Sequence, residues 1–194
     1  MLELLTVCTG NICRSPLAES LLRERLAPLD VRVSSAGTRA LVGSGMTPEA
    51  QRLAVDLGVP DAAAHRARHL TEGLLETPDL IFAMSREHRR AIVDLAPRRL
   101  RATFTVREFA RLAQHATDES ITRAVADATD PRDALRLAAA HVSAMRSEVE
   151  PPADASDDDV IDPYRRSWKT YELSASQLVP AVDEVVRVLR IALA

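Results

Sequence analysis

Two hydrophobic periods alternate along this chain: short unbroken apolar runs, and stripes with helical spacing. Leu2 to Val7 is an apolar run that reads as a strand ending at Cys8, followed by a Thr-Gly-Asn turn. Ser15-Pro16 opens a helix, with Ser as cap and Glu19 near the third position, and Leu17, Leu21, Leu22 and Leu26 share one face. Asp30 to Gly37 reads as a second strand with Val31 and Val33 on one face. A helix capped by Thr47 follows and stops at Gly58. Pro78 to Met84 is a third strand, whose unbroken apolar run after Asp79 suits a buried parallel position. The next helix starts at Ser85 and stops at Pro97. Residues 102–106 form a fourth strand leading into another helix. The stretch Ser167 to Ala194 is an amphipathic helix in which Pro180 marks a kink or break.

Strands alternating with helices predict an α/β fold of three layers, a four-stranded parallel sheet flanked by helices. Ligands of such sheets bind beyond the carboxyl ends of the strands, which puts Cys8 on the functional rim. The whole chain, 1–194, reads as one domain with an insertion at 113–159, a helical segment plus an acidic loop. That insertion holds eleven Asp/Glu against four Arg, and its run Glu148–Asp159, with six acids and two adjacent prolines, reads as a mobile surface loop.

Composition changes this picture little. A net charge of −3 argues against a general nucleic-acid binder. No apolar run is long enough to span a bilayer, and the N-terminus lacks the features of a signal peptide, so a cytoplasmic protein is expected. Two cysteines make neither a disulfide scaffold nor, with five scattered histidines, a metal site. No cofactor is expected, and the oligomeric state is left open.

The candidate chemistry lies in "VCTGNICRSP", Val7 to Pro16. Five residues between Cys8 and Arg14 are enough to curl their N–H groups into a concave nest for a dianion. The helix that follows adds positive potential, and Arg14 offers a planar fork for two phosphate oxygens. The same groups stabilise negative charge on the Cys8 sulfur. Gly10 and Asn11 are residue types that tolerate the positive φ a tight nest requires.

This string resembles the signature loop of the low-molecular-weight protein tyrosine phosphatases of bacterial type. The segments Val33–Thr38, His65–Thr71 and Asp162–Glu172 resemble further parts of that family, so the likeness covers residues 2–112 and 160–194. It implies a phosphate-binding loop after the first strand, formed by Thr9, Gly10, Asn11, Ile12, Cys13, Arg14 and Ser15. It implies Cys8 as nucleophile, Arg14 as phosphate clamp and Asp162 as general acid, acting on a phosphotyrosine protein or small aryl phosphate. Ser15 then bonds the sulfur, and Asn11 braces the loop through Ser35. Tyr164 and Arg165 are candidates for the substrate rim. Asp130-Pro131, the other Asp-Pro pair, is assigned to a helix cap.

The sequence departs from the family pattern in two places. Met84-Ser85 stands where Met-Asp is frequent, and the loop Arg39–Gly45 lacks an aromatic residue. Cys13 has two readings, a small buried loop residue or a partner thiol that traps oxidised Cys8 as a disulfide. Two rival functions share the scaffold: an arsenate reductase using a small-molecule thiol, and a phosphate-dependent binding protein with a vestigial site. The complete set of Cys8, Arg14 and Asp162 favours phosphatase over both.

Overall fold

The computed structural model describes residues 1–194, the side chains of Pro60 and Asp61 excepted. The expected four-stranded parallel sheet is present. It is formed by β1 (Leu2–Cys8), β2 (Val31–Gly37), β3 (Leu80–Ala83) and β4 (Thr103–Thr105), in the order β2-β1-β3-β4. The helices are α1 (Arg14–Arg25), α2 (Pro48–Asp56), α3 (Arg86–Leu95), α4 (Val106–Ala113), α5 (Asp118–Ala124), α6 (Pro131–Ala144) and α7 (Trp168–Ala192).

Alternation along β1 builds two cores. Leu2, Leu4 and Cys8 join the larger one with α1, α2, α4, α6 and α7, whereas Leu5 and Val7 face a smaller one with Ile81, Ala83 and Ile92 of α3. In the larger core Phe109 of α4 meets Phe82 and Phe104 edge-to-face at centroid distances of 5.3 and 5.2 Å. The chain turns to β2 on one side of β1 and to β3 on the other. The loop after β1 therefore lies at the switch point of the sheet, where neighbouring connections leave in opposite directions and open a crevice.

Three local expectations change. The first turn of α1 begins at Arg14, and Ser15 lies inside it with its hydroxyl on Cys8 and not on the helix backbone. Pro180 neither breaks nor ends α7. Both Pro180 and Ser176, whose carbonyl loses its helical partner, are exposed, so the break in the hydrogen-bond ladder falls on the solvent face of the helix. The stretch 113–159 contributes Ile121, Leu135, Ala138, Ala139 and Val142 to the larger core through α5 and α6. Its acidic run, expected to be mobile, holds a 3-10 turn at Ala155–Asp158 and binds Arg86, Arg107 and Arg111. No described helix is long and apolar enough to cross a membrane.

Candidate active site

The loop from Cys8 to Arg14 is fixed from outside by its carbonyls. Those of Cys8, Thr9, Gly10 and Ile12 accept the amides of Thr38, Arg39, Leu41 and Thr47 at 2.9–3.0 Å. That of Asn11 accepts His65 Nε2 at 2.7 Å, and that of Cys13 accepts the amide of Leu17 at 3.2 Å. Carbonyls committed outward leave the amides for the concave side of the turn, the arrangement an oxyanion needs. Gly37 is required by this packing, because a Cβ there would stand 2.5 Å from the Thr9 carbonyl oxygen and 3.0 Å from the Asn11 nitrogen.

Asn11, and not Gly10, carries the positive φ, at 55°. Its conformation is secured by its own amide. Oδ1 accepts the Arg68 amide at 2.9 Å, and Nδ2 donates to Ser15 Oγ at 3.0 Å and Ser35 Oγ at 2.8 Å. The Ser35 hydroxyl donates to Glu19 Oε2 at 2.5 Å, and His65 Nδ1 stands 3.9 Å from the same oxygen. Asn11 is thus bonded to Ser35, as the resemblance implied, and Ser35 to Glu19, while His65, which bonds the Asn11 carbonyl, stands near the same carboxylate without a hydrogen bond to it.

Two donors meet the Cys8 sulfur. The Asn11 amide lies at 3.3 Å and Ser15 Oγ at 3.0 Å. Because Ser15 already accepts from Asn11, its own hydrogen can point to the sulfur, for which the Ala36 carbonyl at 3.4 Å is the more distant competing acceptor. Arg14 is buried, with its side chain 6% exposed. Its Nη1 donates to the Val160 carbonyl at 3.0 Å, its Nη2 pairs with Asp162 Oδ2 at 2.9 Å, and its Nε is buried without a partner. An unpaired, buried guanidinium N–H of this kind is a donor that an anion can take up.

Asp162 is half exposed, and its Oδ1 accepts the Tyr164 amide at 3.2 Å. Asp130, in contrast, accepts the amides of Arg132 and Asp133 as the cap of α6. Tyr164 is 37% exposed beside Asp162, with the Arg165 guanidinium 5.1 Å from its ring centroid. These two residues touch each other. Ile12 is buried. Cys13 is buried too, with its sulfur between Thr47 Oγ1 at 3.6 Å and Tyr171 Oη at 3.7 Å, and burial pushes its thiol up to about 11.

Sequence reasoning missed His88. Its Nε2 lies 2.8 Å from Thr9 Oγ1 and its Nδ1 2.9 Å from Ser85 Oγ, the cap of α3. Burial, with Arg14 and then Arg39 adding to it, pushes its imidazole down to about 3, so it is neutral. His65, Glu19 and Arg68 were also given no role. A lone histidine on a helix or loop carries no sequence sign of what it will touch.

Comparisons with known proteins agree with this geometry. The family model for the low molecular weight phosphotyrosine protein phosphatases matches residues 3–127. The chain belongs to this family. Among its curated relatives is the low molecular weight protein-tyrosine-phosphatase Etp of Escherichia coli K12, 44% identical over 95 residues, which are 49% of this chain and 62% of Etp. The match thus spans less than two thirds of that relative. The structure of a low molecular weight protein tyrosine phosphatase from T. tengcongensis superposes with a TM-score of 0.68 at 26% identity, covering 96% of this chain and 98% of the other. The YwlE arginine phosphatase of Geobacillus stearothermophilus shares the fold, with a TM-score of 0.69 at 24% identity over 98% and 94% of the two chains. In this phosphatase-family chain Asp162 lies beyond the stretch matched by the family model. It reaches the loop because the segment before α7 returns to the end of β3, where Val160 donates to the Met84 carbonyl, and so sets Asp162 beside Arg14.

Proposed function

We propose that this chain hydrolyses phosphotyrosine in proteins, or small aryl phosphate monoesters, through a phosphocysteine. The observation that carries the reading is the contact between Asp162 and Arg14 at 2.9 Å, which sets a carboxyl group at the edge of an anion-binding loop that also holds a nucleophilic sulfur. The Cys8 sulfur attacks phosphorus, the S–P bond forms, and the P–O bond to the phenol breaks. Arg14 and the loop amides hold the equatorial oxygens throughout, so catalysis is positioning plus electrostatics. Asp162 gives its proton to the leaving oxygen. It then takes a proton from water, whose oxygen attacks phosphorus, breaking the S–P bond and releasing inorganic phosphate and the thiolate. Ser15 and the Asn11 amide receive the negative sulfur at each end of the cycle.

Tyr164 supplies a half-exposed ring for the substrate arene, and Arg165, Arg166 and Arg39 give the rim a basic character. Acidic phosphopeptides are therefore the expected substrates. Two free thiols suit a reducing, cytoplasmic compartment.

The test is turnover of phenyl phosphate and a phosphotyrosine peptide beside a phosphoarginine peptide and arsenate with a small thiol. The expected result is aryl phosphate hydrolysis, near-total loss in Cys8→Ser, and a loss of order 10²–10⁴-fold in Asp162→Asn. Phosphoarginine turnover without aryl phosphate turnover, or thiol-dependent arsenate reduction alone, would overturn the reading.

A further inference from the structure

The four residues ahead of Asp162 are bound more densely than a connecting loop needs. The Asp158 carboxylate takes two parallel bonds from Arg111 of α4, from Nε at 3.1 Å and from Nη2 at 3.0 Å. The pair is mostly buried, with side chains 27% and 13% exposed. Asp159 Oδ1 accepts the backbone amide of Arg86, the first residue of α3, at 2.7 Å, and its carbonyl accepts Arg107 Nη1 at 2.7 Å. Val160 donates to the Met84 carbonyl at 2.9 Å, just past β3, and buries its side chain. The Ile161 amide donates to Gln177 Oε1 at 2.9 Å. Asp162 comes next, and among the described residues its side-chain partner beyond its own turn is Arg14.

The anchor points are rigid. Arg111 lies in the last turn of α4, whose Phe109 packs against both Phe82 and Phe104. Arg86 opens a helix already capped by Ser85. A bidentate guanidinium–carboxylate pair fixes direction as well as distance, and a half-buried one is screened far less than a surface pair. A half-exposed general acid gains most from such support, because nothing in its own burial holds it in place.

We propose that the Arg111–Asp158 pair, joined by Arg86 and Arg107 on Asp159, is a clasp that positions Asp162 for proton transfer, so that Arg111 and Asp158 are positioning residues of the reaction. This assigns a task to the end of the acidic stretch: its carboxylates hold the acid-bearing loop on the N-terminal end of α3 and on α4. The inference rests on the phosphatase reading above.

The discriminating measurement is kcat/KM on two aryl phosphates that differ in their need for acid. Phenyl phosphate releases a strongly basic phenolate and depends on protonation; 2,4-dinitrophenyl phosphate releases a stable phenolate and does not. With the clasp opened by Arg111→Met or by the isosteric Asp158→Asn, kcat/KM should fall about 10-fold or more for phenyl phosphate, since misplacing a catalytic group by about 1 Å costs up to roughly 10²-fold. For the dinitrophenyl ester it should change less than about 2-fold, and vanadate inhibition should not weaken, because the Cys8 loop is intact and a displaced Asp162 no longer competes for Arg14. In an Asp162→Asn background, Asp158→Asn should add nothing further. Equal losses on both esters, or losses that add to those of Asp162→Asn, would show a merely structural pair and overturn the clasp. Failure of the wild-type chain to hydrolyse either ester would instead overturn the phosphatase reading, and the clasp with it.

Discussion

Asp162 and Arg14 form an ion pair at 2.9 Å in which the arginine is buried and the aspartate half exposed. The general-acid candidate therefore occupies one arm of the group proposed to hold the phosphate. An entering oxyanion competes with that carboxylate for Nη2. A half-exposed pair is worth about 0–1 kcal/mol. Asp162→Asn is thus expected to bind vanadate or inorganic phosphate up to about 5-fold more tightly while losing turnover. Competitive inhibition and titration calorimetry check this, and weaker oxyanion binding in the variant would contradict it.

The positive φ of Asn11 and its three amide hydrogen bonds separate into two contributions. Asn11→Ala loses both, and Asn11→Gly keeps an unstrained backbone. Both variants should lose stability and kcat. The Gly variant should be the more stable by about 1 kcal/mol, the order of the left-handed penalty for a residue with a Cβ. Urea unfolding midpoints measure the difference, and an Ala variant as stable as Gly would mean the φ is not held in solution.

His88 makes stability pH-dependent. Its folded value of about 3 lies below the ordinary 6.5, so between these limits the unfolded chain binds a proton that the folded chain does not. Its contribution is fully present above about pH 6.5 and is lost as pH falls, by roughly 2 kcal/mol at pH 5. The stability gap between wild type and His88→Gln should narrow by about that amount from pH 7 to pH 5. A gap that stays constant across that range would rule out a buried neutral imidazole.

Cys13 is raised to about 11 first by burial, against which its hydrogen bond to Thr47 works. Only the thiolate alkylates, so at pH 8 in the Cys8→Ser background Cys13 should react far more slowly than in the unfolded chain. Mass spectrometry of iodoacetamide adducts over time tests this. Labelling as fast folded as unfolded would place the thiol at the surface and revive its reading as a reactive partner for Cys8.

Much of this architecture was written locally. The apolar runs of β1 and β3 and the caps Thr47, Ser85 and Asp130 depend on neighbours within a few residues, so periodicity and capping rules locate them. The nucleophile loop was legible for the same reason, since Cys8, Asn11, Arg14 and Ser15 stand within one turn of chain. The resemblance then pointed to Asp162, which spacing alone does not connect to Cys8.

Other features existed only after folding. Ser15 looked like a cap and instead serves the sulfur, because the loop brings its hydroxyl back to Cys8. Gly10 and Asn11 were equal candidates for the positive φ, and contacts from Arg68, Ser35 and His65 chose Asn11. His88 and Thr9 are 79 positions apart and meet because α3 starts where β3 ends, beside β1. The acidic run looked solvated because its cations, Arg86, Arg107 and Arg111, lie about 50 or more residues earlier in the chain. By itself the sequence determined the strands, the helices and the short loop where local propensity and charge suffice; which buried donors, acceptors and ion pairs meet was decided by the tertiary structure, because desolvated polar groups take partners that the sheet order, not the sequence distance, brings within reach.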